Sequence, residues 1–218
     1  IYITAAMLGI LCAQAALTLI DPASLAALVL GFAIMMGATI LIGLAPLPET
    51  QRSENTRRSA ATMRIITHAR IPLAGIFISG LLFSIFVTFY PAYGADRGLP
   101  ADLVPLIGVI VMAGAALMQP ILGRVLERTN PAILLALLAA LSTVASIGLV
   151  LMSGANFWLY ALVALWGASA LTTYPLYGGL AYAALPDESV FDVARAILVA
   201  YGLAEIIAPP VMGVAIDL

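Results

Sequence analysis

Charge is what this sequence lacks most. Charged residues make up 9% of its 218 positions, and lysine is missing, so that all nine basic residues are arginine. A soluble domain usually carries about 25% charged and about 45–50% apolar residues. Here 63% are hydrophobic and the mean hydropathy is +1.12. That leaves too little polar surface to coat a water-soluble globule. One cysteine, Cys12, excludes an internal disulfide, and one histidine, His68, excludes a multi-histidine metal site. An intramembrane enzyme needs paired acids, a Ser/His or Cys/His arrangement or metal ligands within the membrane. The single histidine lies in a polar segment, and neither metal-ligand spacing nor a glycine-rich phosphate loop occurs, so an enzyme is not expected. The net charge of −2 says nothing about nucleic acid; no nucleic-acid partner and no cofactor are expected.

What the chain has instead is apolar runs of about 20 residues, the length that crosses a hydrocarbon core about 30 Å thick. Seven spans are expected: Ile1–Ile20, Ala23–Ala45, Ile71–Tyr93, Leu103–Leu122, Ala132–Ser153, Phe157–Tyr182 and Val193–Ile216. Pro22, Pro72 and Pro131 fall in first turns, where a missing N–H costs nothing. Gly94–Leu99 and Pro186–Glu188 interrupt the runs with turn residues. Ser189 and Asp192 resemble a capping box with Asp in place of Glu. The chain begins at Ile1 and closes at Leu218 inside apolar runs, which is the expectation for a piece of a longer protein.

One long polar segment, Pro46 to Arg70, separates the first two spans from the rest. It is either a solvated linker or a short helix lying on the membrane surface. Arginine sets the orientation. Arg52, Arg57, Arg58, Arg64 and Arg70 lie in the linker, Arg124 and Arg128 follow the fourth span, and Arg195 opens the seventh. If the spans alternate, these eight share one side and Arg97 alone takes the other. The positive-inside rule then places the linker in the cytoplasm.

The spans differ in polarity. Ala23–Ala45 and Ala132–Ser153 are apolar nearly throughout and can face lipid. Ile71–Tyr93 carries Ser79, Ser84 and Thr88, and Phe157–Tyr182 carries Trp166, Ser169, Thr172, Thr173, Tyr174 and Tyr177. Tyr90, Tyr93, Trp158, Tyr160 and Tyr182 sit near span ends and are assigned to the membrane interface. Pro175 should kink its helix amid hydroxyls, which suits either a water-accessible cavity or plain helix packing. Glu205 is the most informative residue. A charged acid at a helix centre costs about 2.5–3.5 kcal/mol on insertion scales, so a partner, a proton or a polar cavity must offset it. A carboxyl that changes protonation at mid-membrane is what proton coupling requires. The alternative is a neutral Glu205 that only bonds a neighbouring helix. Gln14, polar and mid-span in the first helix, is assigned to packing.

At residues 89–131 the sequence reads FYPAYGADRGLPADLVPLIGVIVMAGAALMQPILGRVLERTNP. This resembles the major facilitator superfamily, in which a polar helix, a short outer loop and a helix ending in Gly-x-x-x-acid-Arg open each six-helix half. Gly123 and Arg128 match the loop signature and Glu127 stands for its Asp, whereas Asn130 and Pro131 replace a Gly and an Arg. The resemblance implies a gating loop at Gly123, Glu127 and Arg128, with Gly123 letting helices approach. It also implies an all-α polytopic bundle in which the chain covers helices five to eleven. Residues 1–45 would end the N-terminal bundle, 46–70 would be the cytoplasmic central linker, and 71–218 would form the C-terminal bundle without its last helix. The stretches LTTYPLYGGLAYAALPDE and ILVAYGLAEIIAPPVMG are similar to bacterial permeases with efflux-like roles, which implies a cell inner membrane location. The Gly-Pro pair of the family's antiporter signature is absent from LGILCAQAALTLID.

The expected function is therefore secondary active transport of a small molecule by alternating access, with protons as one coupling ion to test. Ser84, Thr173, Tyr174 and Tyr177 would line the substrate path and Glu205 would bind a proton or substrate. The alternative is a non-transporting membrane sensor or scaffold. Substrate, direction and coupling ion are not legible.

Overall fold

The computed structural model describes residues 64–216 apart from 102, 153 and 155, together with positions 29, 33, 34, 36 and 37, which are helical. The first two spans, with Cys12 and Gln14, and the linker up to residue 63 otherwise lie outside the described residues. Six helices follow: α1 (Arg70–Asp96), α2 (Val104–Leu126), α3 (Pro131–Leu151), α4 (Phe157–Ala170), α5 (Thr173–Ala183) and α6 (Val190–Ile216). Helices α4 and α5 are two halves of one apolar stretch, so the described residues hold five helices long and apolar enough to cross a membrane. At about 1.5 Å per residue, the 27 residues of α1 reach roughly 40 Å, ample for a hydrocarbon core.

Local chemistry sets the boundaries. Asn130 caps α3 by accepting a hydrogen bond from the Ala132 N–H at 2.9 Å, with Pro131 at the first helical position. Asn156 caps α4 in the same manner, accepting from the Leu159 N–H at 3.0 Å. The α1–α2 connection turns at Gly98, whose φ of 69° lies in the left-handed region that favours glycine. Helix α1 runs three residues beyond the expected Tyr93 because Gly94 packs against Val104 and Ile107 of α2, which holds that turn in the bundle. The polar segment is already helical at its described end: residues 64–68 form a turn, and Ile65 and Ala69 are buried against Ile76, Ala181 and Val193. Arg64 pairs with Glu188 at 3.2 Å.

That ion pair brings the start of α1 to the α5–α6 turn. At the other end, the Arg97 guanidinium donates to the carbonyls of Met152 and Val150, joining the end of α1 to the end of α3. The helices therefore alternate, and Arg64, Arg70, Arg124, Arg128 and Arg195 sit at one end with Arg97 at the other. Side by side, α1 packs along α6 and α5, α2 along α4, and α3 along α4. Helix α3 lies on the outside of the bundle, burying only Leu134, Leu138 and Ala145. Its hydroxyls are turned inward on its own backbone: Ser142 and Thr143 donate to the Ala139 carbonyl and Ser146 to that of Ser142. That leaves Ile133, Leu137, Val144, Ile147 and Val150 on the open face, a surface suited to lipid.

The α2–α4 crossing is close. A Cβ at Gly114 would run into the Ala164 carbonyl, and one at Gly167 into the Val111 carbonyl. Only glycine lets these backbones approach so far, the small-residue packing that membrane helices favour.

Candidate functional site

The polar residues gather where α5 and α6 meet α1, and two prolines explain the local geometry. Pro175 has no N–H and its ring crowds the carbonyl four residues earlier, that of Leu171. The helix breaks there, at Leu171–Thr172, rather than at Pro175 itself. Hydroxyls cover the carbonyls of the turn before the break. Thr172 donates to Ala168 at 2.7 Å, Thr173 to Ala170 at 2.8 Å and Ser169 to Leu165 at 2.7 Å. Thr173 also shares a 2.9 Å hydrogen bond with Ser79 of α1, which in turn donates to the Gly75 carbonyl. Ser169 and Thr172 are fully buried and spend their hydroxyls on their own helix, whereas Thr173 reaches α1.

Pro209 acts likewise on α6. It cannot donate to the carbonyl four residues earlier, and that carbonyl belongs to Glu205. The replacement donor comes from another helix: the buried Ser84 hydroxyl of α1 bonds the Glu205 carbonyl at 3.1 Å. Glu205 itself stands at the edge of the α1 contact, between buried Ala204 and outward-facing Ile206. One turn earlier on α6 is Tyr201, whose ring meets Tyr174 edge-on at 4.9 Å and Phe83 at 6.4 Å. Tyr177 lies flat over Gly75, where a Cβ would run into its ring. Ser84, Thr173, Tyr174, Tyr177 and Glu205 thus all fall on one seam between α1, α5 and α6, with Ser79 and Tyr201 completing it. The Ser84 proton is already committed to the Glu205 backbone.

A second feature lies on the other side of α1. A cavity of about 180 Å³ opens between α1, α2, α3 and α4 in the half of the bundle nearest Arg97. Phe86, Phe89, Tyr90, Tyr93 and Trp166 supply rings to its wall, and Ile107, Val111, Leu149 and Val163 supply aliphatic surface. Phe86 stacks on Tyr90 at 5.1 Å and tilts against Trp166 at 5.4 Å. The Tyr93 hydroxyl donates to the Leu149 carbonyl at 3.0 Å, and the Arg97 guanidinium sits 5.2 Å over the Tyr93 ring. Tyr90 and Tyr93, assigned to the membrane interface from their span-end positions, are half-buried and line this cleft near the α1 end. Trp158 and Tyr182 do stand exposed near helix ends.

At the far end of α2, Gly123, Glu127 and Arg128 are exposed. A Cβ at Gly123 would meet nothing within 4 Å, so among the described residues no helix approaches it. Sequence reasoning passed over Tyr201, Gly75, Gly114 and Gly167. A tyrosine one turn before a mid-membrane acid was an available signal for the first. The glycines had none beyond their place in small-residue stretches.

Long apolar helices, an outer face of aliphatic side chains and an inward polar seam define a multi-pass membrane protein. The family model of the Major Facilitator Superfamily matches residues 1–209, and the chain belongs to that superfamily of membrane transporters. No match is found among curated proteins or among solved structures. Membership makes the protein a membrane transporter with a small-molecule substrate, its helices solvated by lipid.

Proposed function

We propose that this protein is a secondary active transporter working by alternating access, with the α1–α5–α6 seam as the wall of its substrate path. The supporting observation is the gathering of polar groups. Ser79, Thr173, Tyr174, Tyr177, Tyr201 and Glu205 come from three helices and share one seam. In transporters of this architecture two bundles rock about a site near the bilayer midplane. Residues 71–218 supply the second bundle, residues 1–45 end the first, and 46–70 is the cytoplasmic linker between them, in a cell inner membrane. Thr173, Tyr174 and Tyr177 face the path. Ser84 braces the α6 backbone beneath Glu205, and Glu205 carries the coupling proton or contacts the substrate. Gly123, Glu127 and Arg128, all exposed, form the gating loop.

The test is Glu205→Gln in proteoliposomes, with a pH gradient imposed and a panel of radiolabelled small molecules offered. Loss of gradient-driven flux with normal insertion supports the assignment. Undiminished gradient-driven flux removes Glu205 from the mechanism, and no flux of any compound in the unsubstituted protein favours a sensor or scaffold.

A further inference from the structure

We infer that the aromatic-walled cavity between α1, α2, α3 and α4 is a binding site for a small uncharged aromatic molecule, separate from the polar seam. Size comes first. The space measures about 180 Å³ and is a cleft open at one side, with Ile107, Val111 and Val163 buried at its floor. An apolar space of roughly 150 Å³ accepts benzene, so this cleft has room for a single ring. The wall explains why the space persists. Phe86 is held between Tyr90 and Trp166, and Val111 is pinned at the α2–α4 crossing by Gly167. The rings cannot collapse inward without undoing those contacts.

Chemistry then selects the occupant. The cavity wall exposes apolar atoms only, so water has no partners there. A ring of aromatic faces can hold either a cation or another ring. Arg97 decides between them. Its guanidinium already covers the Tyr93 face and is tied to the Met152 and Val150 carbonyls. A second cation brought to the same rings would meet that fixed positive charge in a low-dielectric setting. An uncharged ring meets no such penalty and can stack or sit edge-on against Phe86, Tyr90 and Trp166. The site uses none of the residues assigned to transport, so it stands or falls independently of them.

Trp166 gives a direct readout, since Trp158 is the only other tryptophan. The full chain carrying Trp158→Phe is placed in lipid nanodiscs and titrated with bromobenzene, a heavy-atom quencher. The expected result is a saturable loss of Trp166 emission. Excess toluene should reverse it, whereas benzyltrimethylammonium should not. Val163→Phe, which fills the cavity, should abolish the saturable phase, and Val144→Phe on the open face of α3 should not. Quenching that rises linearly, as partitioning into lipid does, would overturn the proposal. So would reversal by the cation equal to that by toluene, or an undiminished saturable phase in a folded Val163→Phe protein. Should Val163→Phe misfold, the toluene and cation competitions in the Trp158→Phe protein still decide. If brominated lipid chains alone quench Trp166 and toluene does not relieve it, the cavity is a lipid contact and the proposal fails.

Discussion

Replacing Ser84 with alanine removes one hydroxyl, yet the structure gives that hydroxyl an unusual burden. The Glu205 carbonyl has lost its helical donor to Pro209, and Ser84 supplies the substitute at 3.1 Å from a different helix. A buried acceptor left unsatisfied costs about 1–3 kcal/mol. Interhelical hydrogen bonds in membranes average only about 0.6 kcal/mol and reach about 1.7, because the unfolded state in lipid finds other partners. Here Pro209 withholds the backbone donor in both states, so Ser84→Ala should fall near the upper end, about 1–1.7 kcal/mol. The double-mutant cycle makes this specific. In Pro209→Ala the backbone N–H returns to the Glu205 carbonyl, and Ser84→Ala should then cost about 0.5 kcal/mol or less. The coupling between the two sites is expected at about 1 kcal/mol, within the range seen for residues in one hydrogen-bond network. Reversible unfolding in mixed micelles with increasing denaturing detergent, followed by circular dichroism, measures all four corners. Effects that add to within about 0.3–0.5 kcal/mol would refute the reasoning.

Further outcomes follow from the packing. Gly167→Ala would push a Cβ into the Val111 carbonyl, a backbone atom that cannot move aside, and should destabilise by about 1–3 kcal/mol in the same unfolding assay. Gly123→Ala meets open space and should leave bundle stability within about 0.5 kcal/mol, so any transport defect it causes would come from contacts with the other bundle. Arg64→Ala breaks an ion pair whose arginine side is 63% exposed; the loss should be below about 1 kcal/mol and should shrink in high salt. Tyr177→Phe keeps the ring over Gly75 and should preserve stability, whereas Tyr177→Ala should lower it by about 3 kcal/mol on the scale of large-to-small core changes.

Much of this architecture is legible in the sequence, because a bilayer imposes a length and a polarity that composition reports directly. All five described spans stand where apolar runs of the right length occur, and the bland 132–153 run is a helix with a broad open aliphatic face, as is α6, which carries Glu205. Ends are less legible. Continuation of α1 through Gly94 depends on Val104 arriving from α2, a contact that no local pattern encodes. The break at Leu171 rather than Pro175 follows from proline chemistry, once the clash is counted four residues back. Direction is the least legible property. Tyr90 and Tyr93 look like interfacial residues by position, and nothing local in the sequence tells that α3 arrives there with carbonyls at Leu149 and Met152 for Tyr93 and Arg97 to bond. In the seam, residue types were readable as polar, but their partners were not: Ser84 reaches the backbone of Glu205 across 121 positions of sequence.

Under the proposed function Glu205 meets an aqueous path while its neighbour Ile206 meets lipid, and paired cysteine accessibility tests that most directly. With Cys12 replaced by serine, Glu205→Cys and Ile206→Cys are each exposed in sealed vesicles to a membrane-impermeant maleimide. Labelling of Glu205→Cys with Ile206→Cys unreactive is the predicted result. Equal labelling of both, or reaction at Ile206→Cys alone, would contradict it.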